Sequence, residues 1–286
     1  MIIVKLYGGL GNQMFQYALG RNLALRNKTE LKFDVTGLEQ DKLRHYELDI
    51  FNISATIASK SEIMLIRKSS RGINSRILRI LSQHYFCIKQ KDLYFDATIK
   101  GKKGDIYLDG YWQCENYFKN IRDIIVNDFI IKYNPDERNK SMLEKIDNSN
   151  SVCIHVRRGD YVYNKKTRKV HGTCSFEYYN NAVNIIGKKV RNPEFFIFSD
   201  DLQWTKANLK FEYPFIYVDI NNTEKGYEDL RLMSRCKHFI IANSSFSWWA
   251  AWLSNNADKI ICAPSRWFNS VDEGDIVPKS WLRIEC

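Results

Sequence analysis

No stretch of the chain is apolar for the roughly 18 residues that a membrane-spanning helix requires. The opening Met1-Ile2-Ile3-Val4-Lys5-Leu6-Tyr7 is too short for the apolar core of a signal segment, and no small-residue cleavage pattern follows it. A cytoplasmic protein is expected, with any contact at the inner membrane being peripheral. The seven cysteines (Cys87, Cys114, Cys153, Cys174, Cys236, Cys262, Cys286) are odd in number and widely spaced. Without a Cys-x-x-Cys, neither a zinc ribbon nor a thioredoxin-like site is indicated. Cys153 and Cys262 lie inside apolar runs, where a free thiol behaves as a small hydrophobe, and a reducing compartment fits. Asp-x-Asp, the usual metal clamp on a sugar diphosphate, is absent, and so are HExxH, GxSxG and the Walker A pattern. There is no internal repeat, low-complexity tract or sustained heptad, and no RRM or KH signature.

Basic residues are in excess, 43 Lys and Arg against 33 Asp and Glu, for a formal charge of +10. Such a surplus attracts phosphate-bearing partners, whether nucleic acid, anionic membrane or nucleotide-sugar, and composition does not choose among them. The charge is spread along the chain, with short runs such as Lys165-Lys166 and Arg168-Lys169, so a solvated surface is the plain reading. A hydrophobic fraction of 44% and an aromatic fraction of 14% are ample for a packed core.

The chain opens like a βαβ unit: a strand at Ile2–Tyr7, a glycine turn, a helix through Met14–Arg26 and a second strand at Leu31–Val35. Helical periodicity recurs near Ile63–Leu81 (Ile63, Ile66, Ile77, Leu78, Leu81), and another strand is expected from Ile106 to Trp112. The polar stretch Tyr133–Asn150, with Pro135, reads as an inter-domain connection. Beyond it, short apolar strands at Val152–Val156, Phe195–Phe198, Phe215–Val218, Phe239–Ala242 and Ile260–Ala263 alternate with helical patterns. That alternation means a parallel sheet covered on both faces, with ligands at the carboxyl ends of its strands.

The residues just after these strands are therefore the candidates for chemistry. After the first strand comes Gly8-Gly9-Leu10-Gly11-Asn12-Gln13, glycines allowing close backbone approach, with two amides presented at the mouth of the turn. A tight turn with Asn12 as helix cap is the plain alternative. His155-Val156-Arg157-Arg158-Gly159-Asp160-Tyr161 ends the next motif strand. Two adjacent arginines cannot both enter the core, and a displayed guanidinium matches phosphate oxygens. His155 is either a core histidine or a ligand contact. Asp200 and Asp201 follow another strand and can orient sugar hydroxyls, bind a base edge or cap a helix. Asp229 lies on an amphipathic helix and by itself is an ordinary solvated acid. Asn243-Ser244-Ser245-Phe246 opens a tryptophan-rich helix whose hydroxyls and amides form an anion site, with Trp248 and Trp252 on its core face. With no metal clamp, arginine and a helix N-terminus are left to stabilise a departing diphosphate.

Taken in order, GGLGNQMFQYA at 8–18, HVRRGDY at 155–161, FSDD at 198–201 and NSSFSWWAAWL at 243–253 resemble the motifs of the bacterial-type α-1,2-fucosyltransferases, glycosyltransferase family 11. The resemblance covers nearly the whole chain. It implies an α/β, GT-B-like fold of two Rossmann-like domains facing a cleft, residues 1–148 on the acceptor side and 149–286 binding GDP-fucose. It further implies inverting, metal-independent transfer of L-fucose from GDP-β-L-fucose to the 2-hydroxyl of a terminal galactose, with no cofactor and no nucleic-acid partner. By analogy with the wider fucosyltransferase group, Arg157 would bind the β-phosphate and His155 the nucleotide. Asn12, beside Gly11, would lie near the sugar–phosphate junction, Asp229 would hold guanine, and Ser244 and Ser245 the diphosphate. Arg158, Asp200, Asn243 and Phe246 complete the expected donor site. The α-1,6 enzymes carry a glutamate seven residues after the second arginine where this chain has Lys165, which leaves the general base open, with Asp160 the nearest candidate. Another GDP-sugar, another linkage, or a basic nucleic-acid- or glycan-binding module are the alternatives.

Overall fold

The computed structural model describes residues 1–41, 43–69 and 85–286, without the side chains of Lys68, Ser69, Asp160, Lys166 and Thr223. Ile77, Leu78 and Leu81 of the expected helical pattern lie outside the described residues. The chain divides into two compact units, Met1–Lys132 with Gly274–Ile276, and Tyr133–Glu273 with Val277–Cys286.

In the N-terminal unit, strands β1 (Ile2–Lys5), β2 (Leu31–Asp34), β3 (Thr56–Ile57), β4 (Tyr85–Lys89) and β5 (Asp105–Asp109) form a parallel sheet in the order β3-β2-β1-β5-β4. Helix α1 (Leu10–Asn27) lies close against β1 and β2, because Gly20 has no side chain: a Cβ there would sit 2.5 Å from Val4 and 2.8 Å from Leu31. Helix α2 (Lys60–Ser69) covers the other face, where Ile63 and Ile66 join Ile3 and Tyr107. Helices α3 (Ala97–Lys100) and α4 (Arg122–Asp128) are the other α-helices among the described residues of this unit. The strand expected to reach Trp112 stops at Asp109, since Trp112 takes a φ of 57°, incompatible with a strand.

The polar stretch expected as a connection is instead helix α5 (Glu137–Asn148) of the C-terminal unit. Asp136 caps it, accepting from the Asn139 amide at 3.0 Å, and Ile146 is fully buried. Its polar residues form an outer face around a thin apolar stripe, which composition alone reads as a linker.

The remaining strands, β6 (Asn150–Val156), β7 (Pro193–Ser199), β8 (Phe215–Tyr217), β9 (His238–Ile240), β10 (Ile261–Pro264) and β11 (Leu282–Ile284), form a second parallel sheet in the order β11-β10-β9-β6-β7-β8. The chain runs outward from β6 to β8, then returns to lay β9 against the other side of β6. That reversal opens the crevice where doubly wound sheets hold their ligands. The helices are α6 (Gly159–Tyr163), α7 (Lys165–His171), α8 (Phe176–Lys189), α9 (Leu202–Asn208), α10 (Gly226–Arg235) and α11 (Ser245–Leu253). Strand periodicity sorts β6 cleanly: Val152, Ile154 and Val156 pack with Tyr178, Ala182 and Ile186 of α8. Cys153 and His155 face the other way. Trp248 and Trp249 are fully buried and Trp252 nearly so, and Trp248 also meets Trp281 at 5.4 Å.

Candidate active site

In the C-terminal unit the crevice is bounded by the ends of β6 and β9, and the expected donor residues collect there. Arg157, one residue past β6, places Nη1 2.9 Å from Asp200 Oδ2, and its guanidinium lies 5.3 Å from the Tyr161 ring centre. The Arg158 amide donates to Asp200 Oδ1 at 2.7 Å. Asp200 thus ties the end of β7 to the two-arginine turn and braces Arg157 directly. Gly159 makes this possible, since a Cβ at that position would overlap the Asp200 carboxylate.

Arg158 turns the other way. Its guanidinium stacks 3.6 Å from the centre of the Trp204 ring, and its Nε lies 3.3 Å from Asp201 Oδ2. Asp201 also caps α9, accepting from the Trp204 amide at 3.1 Å. Both arginines are therefore held by carboxylates before any ligand arrives. The side chain of Asp160 lies outside the described residues.

His155 is buried, its ring 5.8 Å from that of Phe246, and its Nδ1 has no hydrogen-bond partner among the described residues. Burial, reinforced by the Arg157 charge, depresses its pKa to about 3, so the imidazole is neutral at physiological pH. A buried nitrogen without a partner is costly and marks a place for a ligand group.

Opposite β6, Ser244 caps α11 by accepting from the Phe246 amide at 3.3 Å. Ser245 and Phe246, half-buried, form the first turn. Asn243 is spent on structure: its amide donates to the carbonyls of His171 at 2.9 Å and Trp267 at 3.1 Å, anchoring two loops beneath the helix start.

Asp229, on α10, is not the solvated acid its sequence neighbours suggest. Burial, opposed by a hydrogen bond from Asn221 Nδ2 at 2.8 Å, raises its pKa to about 6. Asn221 in turn exchanges reciprocal amide bonds of 2.9 and 3.0 Å with the fully buried Asn139 at the start of α5. A carboxylate held half-buried by this amide pair has the acceptor geometry for two N–H donors of a base edge.

In the N-terminal unit the sheet reverses between β1 and β5, and the glycine turn sits at that point. Gly8 has a φ of 79°, and a Cβ there would crowd the Asn12 amide. Gly9, rather than Asn12, precedes α1 as its cap residue and offers no side chain to it. Gly11 is buried in the first turn. Of the two amides expected at the mouth, only Asn12 stays there, accepting from Gln113 Nε2 at 2.8 Å. Gln13 is fully buried and acts as a clamp: its Nε2 donates to the carbonyls of Gly8 at 2.9 Å and His45 at 2.8 Å, and its Oε1 accepts from the Glu47 amide at 3.0 Å. Gln113 and Glu47 escaped sequence reasoning because they follow no glycine or arginine signature. For Gln113 the signal available was its place shortly after β5 (Asp105–Asp109). Among the described residues no three His, Cys, Asp or Glu side chains cluster to hold a metal ion.

The chain can now be placed among known proteins. It is 37% identical to an Escherichia coli alpha-1,2-colitosyltransferase over 100% of this chain and 99% of that one. It is 34% identical to the Escherichia coli O-antigen biosynthesis glycosyltransferase WbnK, covering 98% of this chain and 99% of that one. Among solved structures, NodZ alpha-1,6-fucosyltransferase soaked with GDP-fucose superposes with a TM-score of 0.51 at 16% identity, over 88% of this chain and 91% of that one, a likeness of fold. The two parallel-sheet units are thus GT-B-like. The family model described as Glycosyl transferase family 11 matches residues 1–285, which sets aside the nucleic-acid-binding alternative, and the chain belongs to that family of glycosyltransferases.

Proposed function

We propose that this enzyme transfers L-fucose from GDP-β-L-fucose to the 2-hydroxyl of a terminal galactose, by one direct displacement that inverts the anomeric centre and needs no metal. The observation that carries the donor assignment is His155, buried with an unpartnered Nδ1 beside Arg157 at the sheet's reversal point. Its neutral ring donates or accepts one hydrogen bond to the nucleotide, while Arg157 meets the β-phosphate, where charge develops as the bond to the sugar breaks. The capped start of α11, at Ser244 and Ser245, adds amide dipoles of the same sign. Asp229 is assigned to guanine, and Arg158 and Asp200 to fixing the Arg157 turn. Gly11 and Asn12 belong to the N-terminal unit, to which the acceptor is assigned. Metal independence rests on the missing Asp-x-Asp and on cationic groups the protein itself supplies.

A second reading concerns the donor sugar. The relative named as an alpha-1,2-colitosyltransferase favours GDP-colitose, whose sugar is fucose without its 3-hydroxyl. The location proposed for the enzyme is the cytoplasm, any contact at the inner membrane being peripheral. Among the described residues no helix is long and apolar enough to cross a membrane.

Thermal shifts with GDP, UDP and CMP separate nucleotide classes, because a ligand raises stability by RT ln(1 + [L]/Kd). GDP should give the largest shift. Incubation of GDP-fucose or GDP-colitose with β-galactosides in EDTA, followed by NMR of the product, then reads donor, linkage and anomeric configuration. A UDP preference, or strict dependence on a divalent cation, refutes the reading.

A further inference from the structure

Two asparagines behind Asp229 are bonded in a way that leaves neither amide free to turn. Asn139 is fully buried at the start of α5, and its Nδ2 donates at 2.9 Å both to Asp136 Oδ1 and to Asn221 Oδ1. Asn221 Nδ2 returns a bond to Asn139 Oδ1 at 3.0 Å and gives its second proton to Asp229 Oδ1 at 2.8 Å. All four side-chain amide protons are thereby spent. The polarity of the chain is set at its far end. Asp136 also accepts from the Asn139 backbone amide at 3.0 Å and pairs with the Lys225 ammonium at 3.2 Å. Those contacts hold its carboxyl down at about 2, so at neutral pH it accepts and does not donate. Turning Asn139 over would set its carbonyl against that carboxylate, and turning Asn221 over would set its carbonyl against Asp229. All four residues belong to the C-terminal unit.

We propose that Asn221, oriented by Asn139 and Asp136, is a positioning residue that fixes Asp229 for guanine and against other bases, a reading that rests on the assignment of Asp229 above. Asn221 ties down Oδ1, while Oδ2 accepts from none of the described residues and stays open to a ligand. Guanine offers two parallel donors, N1–H and its 2-amino group, which match one fixed carboxylate. Adenine and cytosine present a ring-nitrogen acceptor beside their amino group, and uracil a single N–H flanked by carbonyls. Each of these meets the carboxylate with a repelled or unpaired atom. A carboxylate left to rotate loses that choice.

The same bond keeps Asp229 charged. Burial raises its pKa to about 6, and the Asn221 donor works against the rise. Among the described residues, the other titratable groups linked to Asp229 are Glu228 on the same helix and Cys153 on β6. Glu228 pairs with Arg231 at 2.8 Å, and burial pushes the Cys153 thiol up. Losing the Asn221 donor therefore moves the Asp229 titration to higher pH.

If the asparagine pair only ties α5 to the loop before α10, its loss lowers Tm and weakens every nucleotide alike. Calorimetry with IDP and GDP separates the two roles, since IDP lacks only the 2-amino group. The unaltered enzyme should prefer GDP about 10–100-fold, as for one hydrogen bond to a charged group. Asn221→Ala should cut that preference about tenfold, a coupling typical of contacting polar groups. It should also move the pH at which GDP affinity falls to above 6. Asn221→Ser, which keeps a hydroxyl for Asn139 on an arm one bond shorter, should do the same at a smaller cost in Tm. In an Asp229→Asn background, Asn221→Ala should leave the preference unchanged, because no carboxylate remains to be positioned. A preference within about twofold of wild type in both Asn221 variants, whatever their Tm, overturns the proposal. So does a pH midpoint that does not move. Full preference for GDP retained by Asp229→Asn alone would instead sink the guanine assignment.

Discussion

Arg157→Ala should lower turnover about 10²–10³-fold, the usual loss on removing one preorganised donor to a developing oxyanion. Asp200 makes the expectation sharper. The Arg157–Asp200 pair is 2.9 Å apart, with side chains 24% and 21% exposed, so it is screened well below a dry interior. At an effective dielectric near 20, unit charges about 4 Å apart attract by roughly 4 kcal/mol before desolvation is subtracted. Truncating the arginine leaves Asp200 in place, because the Arg158 amide still holds its other oxygen at 2.7 Å. The variant then carries an uncompensated carboxylate where the diphosphate is proposed to sit. Part of the loss in Arg157→Ala is therefore repulsion newly exposed. Asp200→Ala alone should be harmful, since it frees the guanidinium to wander. Added to Arg157→Ala, the same change should recover about tenfold, a coupling typical of contacting charges. The assay is kcat/KM for GDP-fucose at saturating acceptor, with the GDP Kd from calorimetry for each corner of the cycle. Arg157→Ala within about threefold of wild type, or strictly additive effects, would refute the electrostatic argument.

Two pH-linked outcomes follow from the same crevice. Asp229 titrates near 6, so GDP affinity should fall as pH drops through that value, and calorimetry from pH 5 to 8 would show it. Asp229→Asn should erase that slope and weaken GDP about 10–100-fold at pH 7.5, as for a lost hydrogen bond to a charged group. Because the folded pKa exceeds the ordinary value near 3.9, the ligand-free protein loses stability between about pH 4 and 6 and no more above that; the Asn variant should lack this step. His155 has the opposite sign: its folded pKa of about 3 lies below the ordinary 6.5, so its contribution is complete above pH 6.5 and is lost as pH falls toward 3. In His155→Phe that portion of the Tm–pH curve should flatten, and the GDP-induced shift should shrink.

Local pattern was enough to locate five of the six parallel strands of the C-terminal unit, β6 to β10, because each carries a short apolar run bounded by polar turns. It was also enough to mark Arg157, Ser244 and the glycine turn, since those residue types are unusual at strand ends. The core face of α11 was equally legible from the spacing of Trp248 and Trp252. Helix α5 and strands β4 and β11 were not, because their apolar stripes are too thin or too exposed to stand out: β4 is half solvent-facing along its length, and two of the three residues of β11 are exposed.

What the sequence by itself determined was the set of chemical groups and the strands that carry them, because periodicity and turn chemistry act within a few residues. Only the tertiary structure decided which polar groups are spent and which are left over. Gln13 and Asn243 look like ligand amides in the sequence and become clamps, while Asp229 looks solvated and becomes a half-buried acid. His155 acquires its character in the same way. An unpartnered nitrogen and a raised carboxyl pKa depend on what packs around them, and those neighbours come from parts of the chain that local pattern does not connect.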